Sequence, residues 1–249
     1  MGIRKELANR LKEMKSDSCG QAMERKMEYV TRLKQRPIAI GFLFQGQLMT
    51  ETDKANEQHY EVSAGFFEKC LGPRLKYSCC LYPTGSESLE EAEIAMLESY
   101  VSKAGLVNGM DMLDLGCGWG SLSLFLAEVP FSKSFFNEKF PGSKITSLSN
   151  SHSQKQFIDN RAKGKGLANL TVVTGDVKDY DFPANRYLHS ERDSFSLDRI
   201  LSIEMFEHMK NYDFLLKKVS SWLRPEGKLF VHIFCHKSDP YDMESGNLT

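Results

Sequence analysis

Residues 110–120, MDMLDLGCGWG, constrain this chain more than any other stretch. A short apolar run ends in Asp114, and Gly116, Gly118 and Gly120 follow at alternate positions. Residues 121–128 then read as the start of a helix. A strand that turns through glycines into a helix N-terminus lets a ligand approach the backbone, because no Cβ stands in the way. The spacing is D-x-G-x-G-x-G. It is neither the G-x-G-x-x-G of dinucleotide sites nor the P-loop pattern, and no lysine follows to hold phosphates. The motif indicates a nucleoside cofactor without a phosphate chain, and S-adenosylmethionine is the candidate. A tight structural turn is the alternative reading.

From Ser88 onward the pattern alternates. A helix is predicted over 89–104, strands over 110–115 and 144–149, and a helix over 154–163 with Ser151 or Ser153 as N-cap. Strands follow over 170–174 and 197–202, then a helix over 206–223 broken near 210–213, then a strand over 228–235. Strands alternating with helices predict a parallel α/β sheet, with ligands at the carboxyl ends of its strands. Two connections, 129–139 and 182–196, exceed the usual length of about 2–6 residues. They read as surface loops or insertions. Only loop-like residues follow Cys235, so the sheet is expected to stop after strand five with an exposed edge.

Upstream, residues 4–35 place Leu7, Leu11 and Met14, and then Met23, Met27, Tyr29 and Val30, at helical spacing. Two amphipathic helices broken near 17–20 are expected, as a packing arm or, on the minority reading, a membrane-surface element. Residues 59–83 are rich in aromatics and end LGPRLKYSCCLYP, which suits an active-site lid or core packing. The organisation expected is a helical N-terminal cap and lid over 1–87, followed by a cofactor-binding domain over 88–249. The length of 249 residues leaves room for both.

A net charge of −1 gives no global field that would favour nucleic acid or an anionic membrane. No apolar run reaches the roughly 18–20 residues of a membrane span. The charged N-terminus lacks a secretory core, and Glu6 stands where a myristoylation signal wants Ser or Thr. The six cysteines form no C-x-x-C pair and the six histidines are scattered. No metal is expected, and reduced thiols point to a cytoplasmic chain.

Beyond the glycines, the second strand ends Ser149-Asn150-Ser151 with Gln154 behind, so ribose contacts would be neutral amides and hydroxyls. Asp176 could accept from an adenine amino group while Val177 packs on the ring; a turn or cap is the alternative role for Asp176. In SIEMFEHMKNY, a helix would put Glu204, Glu207 and His208 on one face. Two carboxylates could hold an ammonium, and an imidazole could take its proton near neutral pH. An exposed Glu–His pair is the bland alternative. His232, inside an apolar strand, reads as a core histidine.

With these residues assembled, the chain resembles the coclaurine N-methyltransferase-like proteins, within the wider group that contains cyclopropane fatty-acid synthases. The resemblance covers about residues 56–241, apart from the two long connections. HYEVSAGFFEKCLGPRLKYSCC, LDLGCGWGSLSLFLAE, ITSLSNSHSQKQFI, LDRILSIEMFEHMKNY and LFVHIFCHK carry it. It implies a class I methyltransferase (Rossmann-like) α/β fold with a helical N-terminal cap, truncated after strand five, since relatives continue well past this point. It implies S-adenosyl-L-methionine as cofactor, touched by Tyr77, Ser78, Asp114, Gly116, Gly118, Asn150, Gln154, Asp176 and Val177. Amine chemistry falls to Glu204, Glu207 and His208. In the cyclopropane synthases, residues matching Cys79, Glu207 and His232 line a bicarbonate site. A small residue usually stands there where this chain has Glu204, so Glu204 favours the amine branch. The partner implied is a small-molecule amine, with no nucleic acid and no stable membrane insertion; a homodimer is an open reading.

Overall fold

A computed structural model describes residues 64–128, 140–182, 196–209 and 211–235, with a few positions between 18 and 31. The chain divides into two compact units, one of residues 1–46 with 234–249 and one of residues 47–233. In the first unit the described positions between 20 and 31 are helical, with Met23 and Met27 exposed. The rest of the expected cap, and the two long connections apart from their ends, lie outside the described residues.

The second unit holds α1 (Ala64–Cys70), α2 (Leu89–Ala104), β1 (Asp111–Leu115), α3 (Ser121–Ala127), β2 (Lys144–Ser149) and α4 (His152–Gly164). It continues with β3 (Leu170–Thr174), β4 (Leu197–Ile203), a 3-10 turn (Phe206–His208), α5 (Tyr212–Trp222) and β5 (Leu223–His232). The five strands run parallel in the order β3-β2-β1-β4-β5. The order reverses between β1 and β4, and there the carboxyl ends open a crevice. This is the parallel α/β sheet that the alternation of strands and helices predicts.

The central strand β1 is buried on both faces from Met112 to Leu115, with Asp114 enclosed among its apolar residues. Alternate residues serve opposite layers. Leu113, Leu115, Leu148 and Ile200 pack with Leu215, Val219 and Trp222 of α5. Met112, Ile145 and Leu201 pack with Leu97 and Tyr100 of α2 and Leu122 and Leu126 of α3. This period-2 division fixes the register, because a one-residue slip would exchange the two layers.

Helix α2 starts in a capping box: the Ser88 side chain accepts from Glu91 N–H, and the Glu91 carboxylate accepts from Ser88 N–H. Gly105 closes it in the left-handed conformation. Ser88→Ala is expected to lower stability by about 1 kcal/mol, read as a shift in the urea midpoint with unchanged slope.

β5 differs from expectation at both ends, running over Leu223–His232 where 228–235 is expected. β5 begins at Leu223, directly from α5, and not at residue 228. Leu197 pairs with Leu223 and Arg199 with Lys228, so an irregularity absorbs the intervening R-P-E-G. Gly227 is required there, since a Cβ would lie 2.7 Å from the Leu197 carbonyl oxygen. The break expected near 210–213 is present: the segment over 206–223 is the 3-10 turn followed by α5, with the Asn211 side chain capping α5 through Phe214 N–H.

Candidate functional site

The glycine loop leaves β1 with all three glycines at positive φ: 82° at Gly116, 52° at Gly118 and 79° at Gly120. Their surroundings differ. A Cβ on Gly116 would meet Met205 Cγ at 2.8 Å, and one on Gly120 would meet Ile158 Cγ1 at 2.7 Å. A Cβ on Gly118 would meet nothing within 4 Å. Gly116 and Gly120 are therefore held by packing, while Gly118 faces open space at the crevice. That cradle fits a cofactor laid against bare backbone.

Asp114 lies beneath the loop and is 3% exposed. Its carboxylate accepts from Ser123 Oγ at 2.5 Å, and Ser147 Oγ donates to Ser123 Oγ at 2.6 Å. Burial pushes its pKa up to about 6, against the pull of the Ser123 bond. Its side chain thus braces the loop from inside. Gln154 is likewise buried, its amide oxygen accepting from Ser149 Oγ at 2.7 Å. Asn150 is half-buried immediately after β2. Asp176 takes up the turn role: Oδ1 accepts from Lys178 N–H at 2.8 Å. Val177 is buried in the cluster that holds Leu148 and Phe182.

The segment after α1 is pinned from below. Glu93 of α2, wholly buried, accepts from the backbone N–H groups of Arg74 at 3.1 Å and Lys76 at 3.2 Å. Gly72 packs so closely on this carboxylate that a Cβ would sit 2.4 Å from Glu93 Oε2. Phe67, Trp119 and Phe157 then form a continuous aromatic contact with the glycine loop. Tyr77 is exposed and lies edge-on to Phe67 at 5.2 Å between centroids. The Ser78 hydroxyl takes a short hydrogen bond from Lys76 Nζ.

The turn after β4 carries the largest correction. Glu204 has φ 50°, a left-handed conformation, so no helix places Glu204, Glu207 and His208 on one face. Its N–H donates to His232 O at 2.7 Å, and its Oε1 accepts from Cys79 N–H at 3.1 Å. Glu207 is half-buried, while His208 is exposed on the 3-10 turn. An imidazole that does stand beside Glu204 is that of His232. His232 Nε2 lies 3.7 Å from Cys79 Sγ, and Nδ1 lies 2.9 Å from Tyr100 OH. Lys76 Nζ donates to the same Tyr100 oxygen at 3.1 Å. Burial pushes His232 below its ordinary pKa, with Glu204 opposing, so the ring tends to neutrality. Burial, then the charge of Glu204, pushes the Cys79 thiol up.

The resemblance groups Cys79 with His232; sequence reasoning missed Lys76 and Tyr100 and the place of Glu204 among them. The available signal was a lysine and two cysteines packed into KYSCC at the end of an aromatic segment.

Residues 47–247 match the mycolic acid cyclopropane synthetase family. The chain belongs to that family. Within it, the chain is 39% identical over 202 residues to (S)-coclaurine N-methyltransferase of Thalictrum flavum subsp. glaucum, covering 81% of this chain and 50% of that protein. It is 30% identical over 209 residues to cyclopropane-fatty-acyl-phospholipid synthase of Escherichia coli K12, covering 83% and 47%. A crystal structure of coclaurine N-methyltransferase bound to N-methylheliamine and SAH superposes with a TM-score of 0.78 at 33% identity, covering 97% of this chain and 61% of that one. The chain spans about half the length of the curated relatives it matches. The resemblance seen in the motifs is thus met at the level of family and fold.

Proposed function

We propose that this chain binds S-adenosyl-L-methionine and works as an N-methyltransferase on a small-molecule amine of the benzylisoquinoline-alkaloid type. One observation carries the reading. Met205 packs against Gly116, which sets the carboxylate-bearing turn of Glu204 against the glycine loop. An anionic group thereby stands beside the cofactor cradle, where an amine nucleophile needs an anchor. The similarity to alkaloid N-methyltransferases supports the same chemistry.

The cofactor, when bound, supplies an electrophilic sulfonium methyl. Gly116 and Gly118 would offer it bare backbone; Tyr77, Ser78, Asn150, Gln154, Asp176 and Val177 are the further residues this reading assigns to it, and Asp114 shapes the loop from beneath. Glu204 holds the amine through a carboxylate with acceptor sites beyond the one taken by Cys79 N–H. The amine proton passes to an imidazole. His208, which the resemblance assigns, and His232, which lies beside Glu204, are the two acceptors to compare. Glu207 adds negative charge facing His232 and steadies its protonated form. Free thiols at Cys70, Cys79, Cys80 and Cys117 suit a reducing cytoplasm, and among the described residues no helix is long and apolar enough to cross a membrane.

Glu204→Gln tests the anchor. Losing a charge-assisted hydrogen bond of about 1.5–3 kcal/mol should raise the amine KM roughly ten- to hundredfold. Calorimetric affinity for S-adenosylmethionine should stay unchanged. An amine KM equal to the parent's would remove Glu204 from the reading.

A second reading, methylene transfer to a lipid double bond, is favoured by the Cys79–His232 contact, since matching residues line the bicarbonate site of the cyclopropane synthases. It predicts a bicarbonate-dependent cyclopropane product by mass spectrometry, with no N-methylated product from any amine.

A further inference from the structure

We propose that Cys79 Sγ, His232 Nε2 and the Glu204 carboxylate form a three-donor site for a thiophilic divalent cation of the zinc class. The three ligand atoms lie within 4.8 Å of one another. The S···N separation is 3.7 Å. A tetrahedral zinc with Zn–S about 2.3 Å and Zn–N about 2.0–2.1 Å sets these atoms about 3.5 Å apart. The sulfur and the nitrogen therefore stand near bonding positions before any ion arrives, with the carboxylate within 4.8 Å of both.

Each donor is positioned by a different element. Glu204 closes β4 at its left-handed turn, and His232 ends β5, in register with Ile203. Cys79 is tied to Glu204 by its own N–H, on a segment that buried Glu93 holds. The ring is also oriented. Tyr100 OH engages Nδ1 and leaves Nε2 toward the thiol, the arrangement in which an outer hydrogen bond fixes a metal-binding imidazole. Cys79 is exposed, while Glu204 and His232 are half-buried, so an ion can enter from solvent and keep water as a fourth ligand. One sulfur, one imidazole nitrogen and one carboxylate oxygen favour Zn²⁺ or Co²⁺ over Mg²⁺ or Ca²⁺.

Binding requires the Cys79 proton to leave to solvent, so that the sulfur lone pair forms the metal bond. The charged and titratable groups facing the thiol and the ring are Lys76, Cys80, Tyr100, Lys103, Glu204 and Glu207. Glu204 and Glu207 favour a cation, and Lys76 and Lys103 oppose it. The ion would occupy the carboxylate assigned above to the amine. That competition rests on the proposed function, whereas metal binding does not.

The test is a Co²⁺ titration of the full chain under a non-thiol reductant, followed by displacement with Zn²⁺. One cobalt per chain is expected, with a near-ultraviolet thiolate-to-cobalt absorption that Zn²⁺ abolishes. Cys79→Ser should lose the band, Cys70→Ser and Cys80→Ser should retain it, and His232→Gln should weaken affinity at least about tenfold. No band in the parent chain, or a band that survives Cys79→Ser, overturns the proposal. If circular dichroism shows Cys79→Ser unfolded, His232→Gln decides: unchanged cobalt affinity overturns it. In a separate arm, Zn²⁺ should inhibit methyl transfer competitively with amine. A cobalt band without such competition retains the metal site and removes Glu204 as amine anchor.

Discussion

Gly120→Ala is expected to destabilise the chain by about 2–5 kcal/mol, while Gly118→Ala should cost only about 1–2 kcal/mol and instead weaken cofactor binding. Both glycines sit at positive φ, at 79° and 52°, so alanine pays the left-handed strain at either position. The difference lies in the space around them. At Gly120 the new methyl would fall 2.7 Å from Ile158 Cγ1 and 2.9 Å from Cδ1. Ile158 is itself fully buried against Leu124 and Val172, so the contact is relieved only by displacing α4. Overpacking of this kind adds about 1–3 kcal/mol to the strain. At Gly118 nothing resists the methyl, which would project into the cradle left for the cofactor. Urea unfolding and calorimetry with S-adenosylmethionine separate the two effects. The expected pattern is a large midpoint shift for Gly120→Ala and a loss of affinity of tenfold or more for Gly118→Ala, about 1.4 kcal/mol. If Gly118→Ala binds the cofactor as the parent does, the loop is a structural turn and the cofactor lies elsewhere.

How far the fold could be read from the chain depended on whether local signals decided each element. β2 and β3 were legible to the residue because apolar runs meet turn residues at both ends. α2 was legible for the same reason, with Ser88 and Gly105 marking its limits. β5 was not, since R-P-E-G reads locally as a turn and only its pairing with β4 draws it into the sheet. EMFEH looked helical because its spacing is helical. Its conformation is set by distant partners, namely the His232 carbonyl and the Cys79 N–H that hold Glu204, and Met205 pressed on Gly116. The polar cluster was illegible for a related reason. Tyr100 meets Lys76 across 24 residues and His232 across 132, and no local periodicity encodes such pairings. The glycine loop was legible as a tight strand-to-helix turn, yet the motif could not show that Asp114 faces inward.

That inward carboxylate makes stability depend on pH in an unusual direction. Asp114 is 3% exposed and its pKa is pushed up from 3.8 to about 6 by burial. Between those values the folded chain holds a proton that the unfolded chain has released. Folding is then penalised progressively as pH rises through this window, and the penalty remains in full above it. This is opposite to a salt-bridged carboxylate, whose contribution is lost as pH falls. A displacement of about two pKa units corresponds to roughly 3 kcal/mol. Asp114→Asn keeps the size of the side chain and an oxygen to accept from Ser123, and removes the buried charge. The variant should match the parent near pH 4 and exceed it by about 3 kcal/mol at pH 7. Unfolding midpoints of both chains from pH 4 to 7 check this, and the difference curve isolates Asp114 from every other titrating group. A difference that does not change with pH would mean that Asp114 ionises as freely in the fold as in the unfolded chain. With the expected curve in hand, cofactor affinity of the variant above pH 6 becomes decisive. A chain that gains stability and loses binding would show that the charge beneath the glycine loop is retained for the cofactor, at the expense of the fold.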